Sequence, residues 1–567
     1  MIIRKNNVCQ LCRLTAFAAL LAWLPMNMNA QEARNHNLDV AKNIEIFNAI
    51  YKTLDLMYVD TLDANTVIGN GINAMLRSLD PYTEYYPESK QKDLKMLMTG
   101  KYAGIGAVVR YHQKRKQVVI DEPFEGMPAA KVGLRKGDII LQIEDTLMTN
   151  KPVAYVSDHL RGDAGSTIMI KIKRPSTGKV MNFKVTRESI KTPEITYYGM
   201  RPDGVGYINL NTFSGEPAKP MRLAYLDLKQ RGAKKLILDL RSNGGGSVSE
   251  CVDIANMWLP KGLTLVETKG KLRRANSDYK TRLEPIDTVM PIIVLVNDET
   301  ASASEIVSGS IQDLDRGLII GSRTYGKGLV QIPNVDLPYN GNLKLTTSKY
   351  YIPSGRCIQA INYKHTGGGY KEHVPDSLTH VFYTRNGREV RDGGGIMPDI
   401  EIKPDTMSNI LLYLDRIDST EVMFDYVVDY ISKHPTIAPA DKFHLTDAEY
   451  ADFTQQVLKA GFTYDQISKK QFEELIKTAK FEGYYDDAKA EFEALKAKLD
   501  HHDIERDLQQ HRNEIQRQIE QDIISAYYFQ SGQLLHMLQT DKTLKEAERI
   551  LNTSGEYEKL LSPKKVK

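Results

Sequence analysis

The sequence predicts a multidomain, mixed α/β protein, and three observations carry that reading. Residues 190–405 alternate apolar strand-like runs with helical spacing, residues 102–188 set short strands between glycine turns, and everything after 409 is charged and helical in period. At ~150 residues per domain, 567 residues suggest three or four domains. Apolar residues make up 41% of the chain, enough for packed cores. Lys plus Arg number 75 against 72 Asp plus Glu, a net charge of +3, so no bulk basicity recommends a nucleic-acid partner. With 39 glycines and 23 prolines the chain is neither collagen-like nor of low complexity. No run approaches the ~20 apolar residues of a membrane-spanning helix.

The N-terminus reads as an address. Arg4 and Lys5 precede a short apolar run at 14–24, and small and polar residues lead to Met28-Asn29-Ala30 before Gln31. This is the pattern of a secretory signal, with cleavage expected after Ala30. The upstream clustering of positive charge argues against a buried N-terminal helix. Cys9 and Cys12 precede the apolar run, so their spacing says nothing about metal or redox chemistry in the mature chain. That chain keeps Cys251 and Cys357, which allow one disulfide in an oxidising compartment but read more readily as two isolated buried thiols.

Residues 31–99 form an N-terminal helical region. Ile44, Phe47, Ile50, Tyr51 and Leu54 have helical spacing, as do Ile68, Ile72 and Met75, and Leu79-Asp80-Pro81-Tyr82-Thr83 ends the run. Strands are predicted at 118–121 and 168–172 with a helix at 153–160. In the next region strands are predicted at 205–210, 235–240 and 291–296, and helices at 218–230, 248–258 and 302–314. Beyond 409, Thr446-Asp447-Ala448-Glu449 has capping-box spacing, and Phe472, Leu475, Ile476 and Ala479 lie on one helical face.

Two regions carry chemistry. In the first, Tyr102-Ala103-Gly104-Ile105-Gly106-Ala107 is a glycine-rich turn leading into a strand, able to aim several backbone N–H groups at one carboxylate while the strand edge pairs with the peptide behind it. Pro128-Ala129-Ala130, Gly133-Leu134-Arg135-Lys136-Gly137-Asp138, Leu160-Arg161-Gly162 and Gly165 follow. Together these resemble a PDZ domain of the kind found in secreted bacterial proteases, over residues 100–188. The resemblance implies that Gly104, Ile105, Gly106 and Ala107 bind the carboxylate of a peptide C-terminus.

In the second region, Ala301-Ser302-Ala303-Ser304-Glu305 follows an apolar strand, where a small-residue turn into a helix can project a hydroxyl beside free N–H groups. Glycines flank Lys327 in Tyr325-Gly326-Lys327-Gly328, with Gln331 four residues on. Upstream, Arg241-Ser242-Asn243 leads into Gly244-Gly245-Gly246, which lacks the Gly-Lys-Ser/Thr of a phosphate loop. Each piece has a plainer reading: Ser302 as a helix cap, Lys327 as a solvated lysine, the glycines as a turn. In order, and joined by Leu79-Asp80-Pro81, the 345–355 stretch and Gly395-Ile396-Met397-Pro398-Asp399, they resemble the carboxyl-terminal processing (tail-specific) peptidases, serine proteases with a Ser–Lys dyad. The resemblance covers residues 40–405.

It implies a crotonase/Clp-like α/β core at 189–408, with Ser302 as nucleophile, Lys327 as general base and Gln331 orienting the lysine. Ser304 is the fallback nucleophile. The oxyanion donors would be the N–H of Ala303 and one from the glycine turn, most readily Gly245. No metal or cofactor is called for, and His501-His502 reads as a polar helix surface. A lysine serves as base only if burial lowers its pKa from ~10.4 and no carboxylate holds it charged. The expected function is an exported, periplasmic serine endopeptidase of a Gram-negative bacterium, cleaving protein substrates through their exposed C-termini, with no nucleic-acid partner. A gripped C-terminus would deliver the substrate and shift the PDZ module against the core. The helices of 409–567 are either solvated faces or a surface for self-association or an adaptor. The competing functions are a non-catalytic PDZ-type peptide-binding or assembly protein, and an acyl-transfer enzyme on a related core. The full Ser302, Lys327 and Gln331 set counts against the former, the PDZ-like module and signal against the latter.

Overall fold

The computed structural model describes residues 36–91, 94, 101–191, 193–360, 375–500 and 503–562. The expected signal, with Arg4, Lys5, Cys9 and Cys12, and the His501–His502 pair lie outside the described residues. The chain divides into two compact units, Met1–Leu79 and Asp80–Lys567. Within the first, helix 36–57 precedes the helix Ala64–Arg77, which Asp63 caps by accepting from the N–H of Asn65 at 2.8 Å. The apolar stripe of Ile44, Phe47, Ile50 and Leu54 is helical as predicted but exposed.

The second unit begins with a β-rich module. Its strands run in the order Ala107–His112, Gln117–Pro123, Ile139–Ile143, Thr167–Lys173, Val180–Thr186, leaving Ala107–His112 at an edge. The Thr167–Lys173 strand alternates strictly, with Ile168, Ile170 and Ile172 buried against Val118, Ile120 and Ile140. The helix Val153–Leu160 lies beside the edge strand. Lys101–Gly104 pairs antiparallel with Glu188–Lys191, joining the chain's entry to the module with its exit.

The central sheet has the order Ile195–Arg201, Val205–Leu210, Lys235–Asp239, Ile292–Val296, Leu318–Gly321, Ile400–Glu401, parallel except for the first pair. Ile292–Val296 is buried at every position, as expected of a strand covered on both faces. The helices Ala218–Gln230, Val248–Ala255 and Ala303–Asp313 fill one face, around Trp258. The other face, Ile237, Ile293, Leu295 and Ile320, is covered by the far end of the chain: Leu544, Ala547 and Ile550 from Lys542–Asn552, and Tyr557. The hydroxyl of Tyr557 accepts from the N–H of Ile292 at 3.0 Å, so the last helices complete the core.

A second sheet carries the functional segments to one place. Gly341–Tyr351 pairs with Glu84–Tyr86, Thr264–Gly270 and Leu329–Leu337. Val422–Lys433, Asp447–Lys459 and the helix starting at Arg512 share a core of Phe443, Phe453, Ile515, Ile519 and Ile523. Thr446 and Glu449 make the capping box read from the sequence, the Thr446 N–H donating to Glu449 Oε2 at 2.7 Å and the Glu449 N–H to Thr446 Oγ1 at 3.3 Å. Cys251 and Cys357 are both free thiols, Cys251 buried. Among the described residues no helix is long and apolar enough to cross a membrane.

Candidate active site

The turn after Ile292–Val296 is tied down before it reaches Ser302. The Asn297 N–H donates to Thr300 Oγ1 at 2.9 Å, Thr300 Oγ1 donates to the Leu240 carbonyl at 2.9 Å, and the Ser242 N–H donates to Asn297 Oδ1 at 2.8 Å. Ser302 then adopts φ 57, ψ −116, a backbone region closed to most residues with a Cβ, and the helix Ala303–Asp313 starts at once. A conformation of that kind stores on the order of 1–3 kcal/mol and persists only because its surroundings fix it. Ala303, the first residue of the helix, directs its N–H to no acceptor among the described residues. Ser304 is buried, and its Oγ donates to the Asn243 carbonyl at 2.8 Å.

Glu305 joins this turn to the lysine segment. Its Oε2 accepts from the N–H of Ser302 at 2.8 Å and of Lys327 at 2.9 Å, and its Oε1 from the N–H of Gly326 at 2.7 Å and Thr324 Oγ1 at 2.6 Å. One oxygen therefore holds the Ser302 and Lys327 backbones within two hydrogen-bond lengths. Burial pushes the Glu305 carboxyl up to about 7, against the pull of those four donors. Tyr350 supplies a second staple: its buried hydroxyl contacts the Lys327 carbonyl at 2.6 Å and the Ser302 carbonyl at 3.3 Å. The glycines beside Lys327 permit close packing on 359–360. Gly326 has φ +82 and a Cβ there would lie 2.2 Å from Ala360 Cβ, while the Gly328 N–H donates to Gln359 Oε1 at 2.7 Å.

The Lys327 side chain is partly buried, its Nζ 4.7 Å from the centre of the Tyr82 ring. Tyr82 is presented by a turn in which Asp80 accepts from the N–H groups of Tyr82 and Thr83, both at 2.8 Å. Burial is the largest influence on Lys327 and lowers its pKa; nearby Lys344 lowers it further, and Glu305, Asp80 and Glu84 oppose. Among the described residues no carboxylate lies within ion-pair distance of Lys327 Nζ. Gln331 lies one strand step beyond, but its Nε2 donates to Thr346 Oγ1 at 3.1 Å rather than to the lysine. The register pairs Gln331 with Thr346, and that places its amide on the neighbouring strand.

The glycine turn comes against the turn that carries Ser302. Gly245 has φ +96, and a Cβ there would lie 2.8 Å from Ser302 Cβ and 2.9 Å from the Ala303 nitrogen. Its N–H, however, donates to Asn243 Oδ1 at 2.9 Å, so in this conformation it is not free for an oxyanion. Asn243 also accepts the Ala301 N–H on its carbonyl at 3.0 Å, which joins the two turns.

In the β-rich module, Gly106 has φ +70, and its α-carbon sits so close to Met127 that a Cβ would lie 2.4 Å from Met127 Cβ. Ile105 is buried in the module core. The carbonyls of Ile105 and Gly106 accept from Ala129 at 2.8 Å and Phe124 at 2.9 Å, whereas their N–H groups have no acceptor among the described residues. The turn Gly104–Ala107 therefore offers donors at the end of an open strand edge.

Glu305, Tyr350, Asn243, Tyr82 and Lys344 were not assigned roles from the sequence. Ser302 and Glu305 have the spacing of a capping box, which marks Glu305 as a partner of the Ser302 N–H. The other four come from segments whose proximity only the fold creates.

Residues 204–366 match the model of peptidase family S41, residues 119–174 that of the PDZ domain, and residues 413–551 that of the probable PDZ-protease C-terminal helical domain. A carboxy-terminal-processing protease of Bartonella bacilliformis is 34% identical over 332 residues, 58% of this chain and 75% of that protein. A probable CtpA-like serine protease of Staphylococcus aureus is 30% identical over 353 residues, 62% of this chain and 69% of that protein. The solved photosystem II D1 C-terminal processing protease is 27% identical with a TM-score of 0.36, covering 64% of this chain and 88% of that one. The chain belongs to the carboxy-terminal-processing serine protease family, peptidase family S41, with a PDZ domain.

Proposed function

We propose that this protein is a Ser–Lys endopeptidase that takes its substrates by their C-terminal tails. Ser302 Oγ attacks the scissile carbonyl, and the Lys327 amine, kept neutral by burial, accepts its proton. Collapse of the tetrahedral intermediate returns a proton to the leaving amine and leaves an acyl-enzyme on Ser302, which water hydrolyses. The Ala303 N–H stabilises the oxyanion, aided by the positive end of its helix. Gly245 joins it once its N–H exchanges Asn243 for the substrate oxygen. Gln331 acts on the lysine through the Thr346 strand.

The observation that carries this reading is the pair of staples, Glu305 and Tyr350, binding the backbones of Ser302 and Lys327 while the amine has no carboxylate partner among the described residues. The Ser304 hydroxyl, buried and spent on Asn243, favours Ser302 as nucleophile. The test is cleavage of an unfolded protein with an apolar C-terminus by wild type, Ser302→Ala and Lys327→Ala. Turnover is expected to fall by ~10³-fold or more in both; undiminished cutting by either contradicts the assignment.

Gly104, Ile105, Gly106 and Ala107 receive the substrate carboxylate, and the Ala107–His112 edge pairs with the residues before it. A substrate ending in a carboxamide is expected to be cut with a raised KM. Export to the periplasm follows from Arg4, Lys5 and the 14–24 run; N-terminal sequencing of the protein from its native cell is expected to start at Gln31. Self-association or adaptor binding falls to the helices around Ile467–Glu482, where Phe481 and Tyr484 stand exposed.

A further inference from the structure

The helix Arg512–Met537 is broken at Phe529, whose φ of 55 and ψ of −164 are not helical. In a continuous helix Glu520 and His536 would stand roughly 24 Å apart at ~1.5 Å per residue. Instead Glu520 Oε2 lies 3.2 Å from His536 Nε2, so the break folds the chain back on itself. His444, from the loop before Asp447–Lys459, brings its Nδ1 to 3.5 Å from the same oxygen. The ligand atoms of all three residues lie within 4.8 Å of one another. Around a tetrahedral zinc ion with bonds of ~2.0–2.1 Å, neighbouring ligand atoms sit about 3.3–3.4 Å apart. The two measured separations bracket that value.

The surroundings are built for a ligand set. His536 Nδ1 is 3.1 Å from the Ala440 carbonyl, which fixes the ring and turns Nε2 toward Glu520. Glu520 Oε1 accepts from the Leu445 N–H at 2.9 Å and from Gln516 Nε2 at 3.0 Å, which aims Oε2 at the two imidazoles. With the ring proton on Nδ1, toward the Ala440 carbonyl, the Nε2 lone pair faces the Glu520 carboxylate, an arrangement that suits a cation placed between them. Glu520 and His536 are buried, whereas the His444 side chain is 61% exposed and gives the site its opening to solvent.

We propose that His444, Glu520 and His536 bind a divalent cation of the zinc class, with water in the fourth position. The ion would pin three separate stretches of chain and fix the Phe529 break. Phe529 lines a cavity of about 260 Å³ with Phe124 and Met127 of the PDZ domain and with Pro193 and Ile195 that lead into the core. The site would thus set the geometry where the substrate-gripping module meets the catalytic unit, away from the Ser302 chemistry.

The test uses the full chain stripped with a chelator and titrated with zinc chloride by calorimetry, together with thermal unfolding. Wild type is expected to bind one zinc per chain at micromolar Kd or tighter and to unfold at a higher temperature with zinc present. His444→Ala, at an exposed position that leaves the fold intact, is expected to weaken binding by at least about tenfold and to abolish the thermal shift. Glu520→Gln, which preserves shape, is expected to do the same. No uptake by wild type at about 100 µM zinc, or uptake unchanged in both variants, overturns the proposal.

Discussion

At the scale of single residues, the proposed reaction depends on how the charges around Lys327 add up. Burial and Lys344 favour the neutral amine, while Glu305, Asp80 and Glu84 favour the ammonium. Because the folded-state pKa lies below the ordinary lysine value, the fraction of usable base rises with pH through that lowered pKa. kcat/KM is therefore expected to climb to a plateau on the alkaline side. Lys344→Gln removes a repelling cation, raises the Lys327 pKa and should move the ascending limb to higher pH, which a pH–rate profile measures. Lys327→Arg is expected to be inactive at every pH, since a guanidinium does not give up its proton in this range. Lys344 was not legible as part of the site, because sixteen intervening residues and the turn between two strands separate it from Lys327 in the chain.

At the scale of elements, the site is two turns held by two side chains. Glu305 contributes a pH dependence of stability with a definite sign. Its folded pKa of about 7 lies above the unfolded 4.5, so the folded state binds the extra proton and stability is lost as pH rises through that window. Relative to Glu305→Gln, wild type is expected to lose about 3 kcal/mol between pH 4.5 and 7, read from denaturant unfolding at both ends. Tyr350→Phe leaves the carbonyls of Ser302 and Lys327 without their shared donor and is expected to destabilise by about 1–3 kcal/mol and to lower kcat. The turns themselves were readable from Ala301–Glu305 and Gly326-Lys327-Gly328, since each is local. Tyr350, Asn243 and Tyr82 were not, because their hydrogen bonds and ring contact are made across 23 to 245 residues of chain. The Gly245 N–H shows the same limit: sequence places the glycine beside Ser302, but only the fold reveals that Asn243 already holds its proton.

At the scale of the whole molecule, the C-terminal helices have partners that helical periodicity does not name. Phe424 and Val428, on Val422–Lys433, pack on Val119 and Ile139 of the PDZ domain, and Glu421 pairs with Arg110 at 2.7 Å. Phe424→Ala is expected to cost about 3–5 kcal/mol at that contact and to free the PDZ domain, seen as faster proteolytic nicking between 101 and 191. The same helices were legible as helices, from capping-box spacing and the i, i+3, i+4 stripe, and the α/β core was legible from its alternation. Their closure of the sheet's second face through Tyr557 was not, because an amphipathic stripe records that a face is covered and not by what. The converse holds for Ile44, Phe47 and Ile50, whose stripe is exposed. The account as a whole rests on an uncharged Lys327 amine, and direct NMR titration of the Lys327 side chain in the full-length Ser302→Ala protein tests it. A midpoint clearly below the ordinary ~10.4 is expected; a midpoint at or above that value contradicts it.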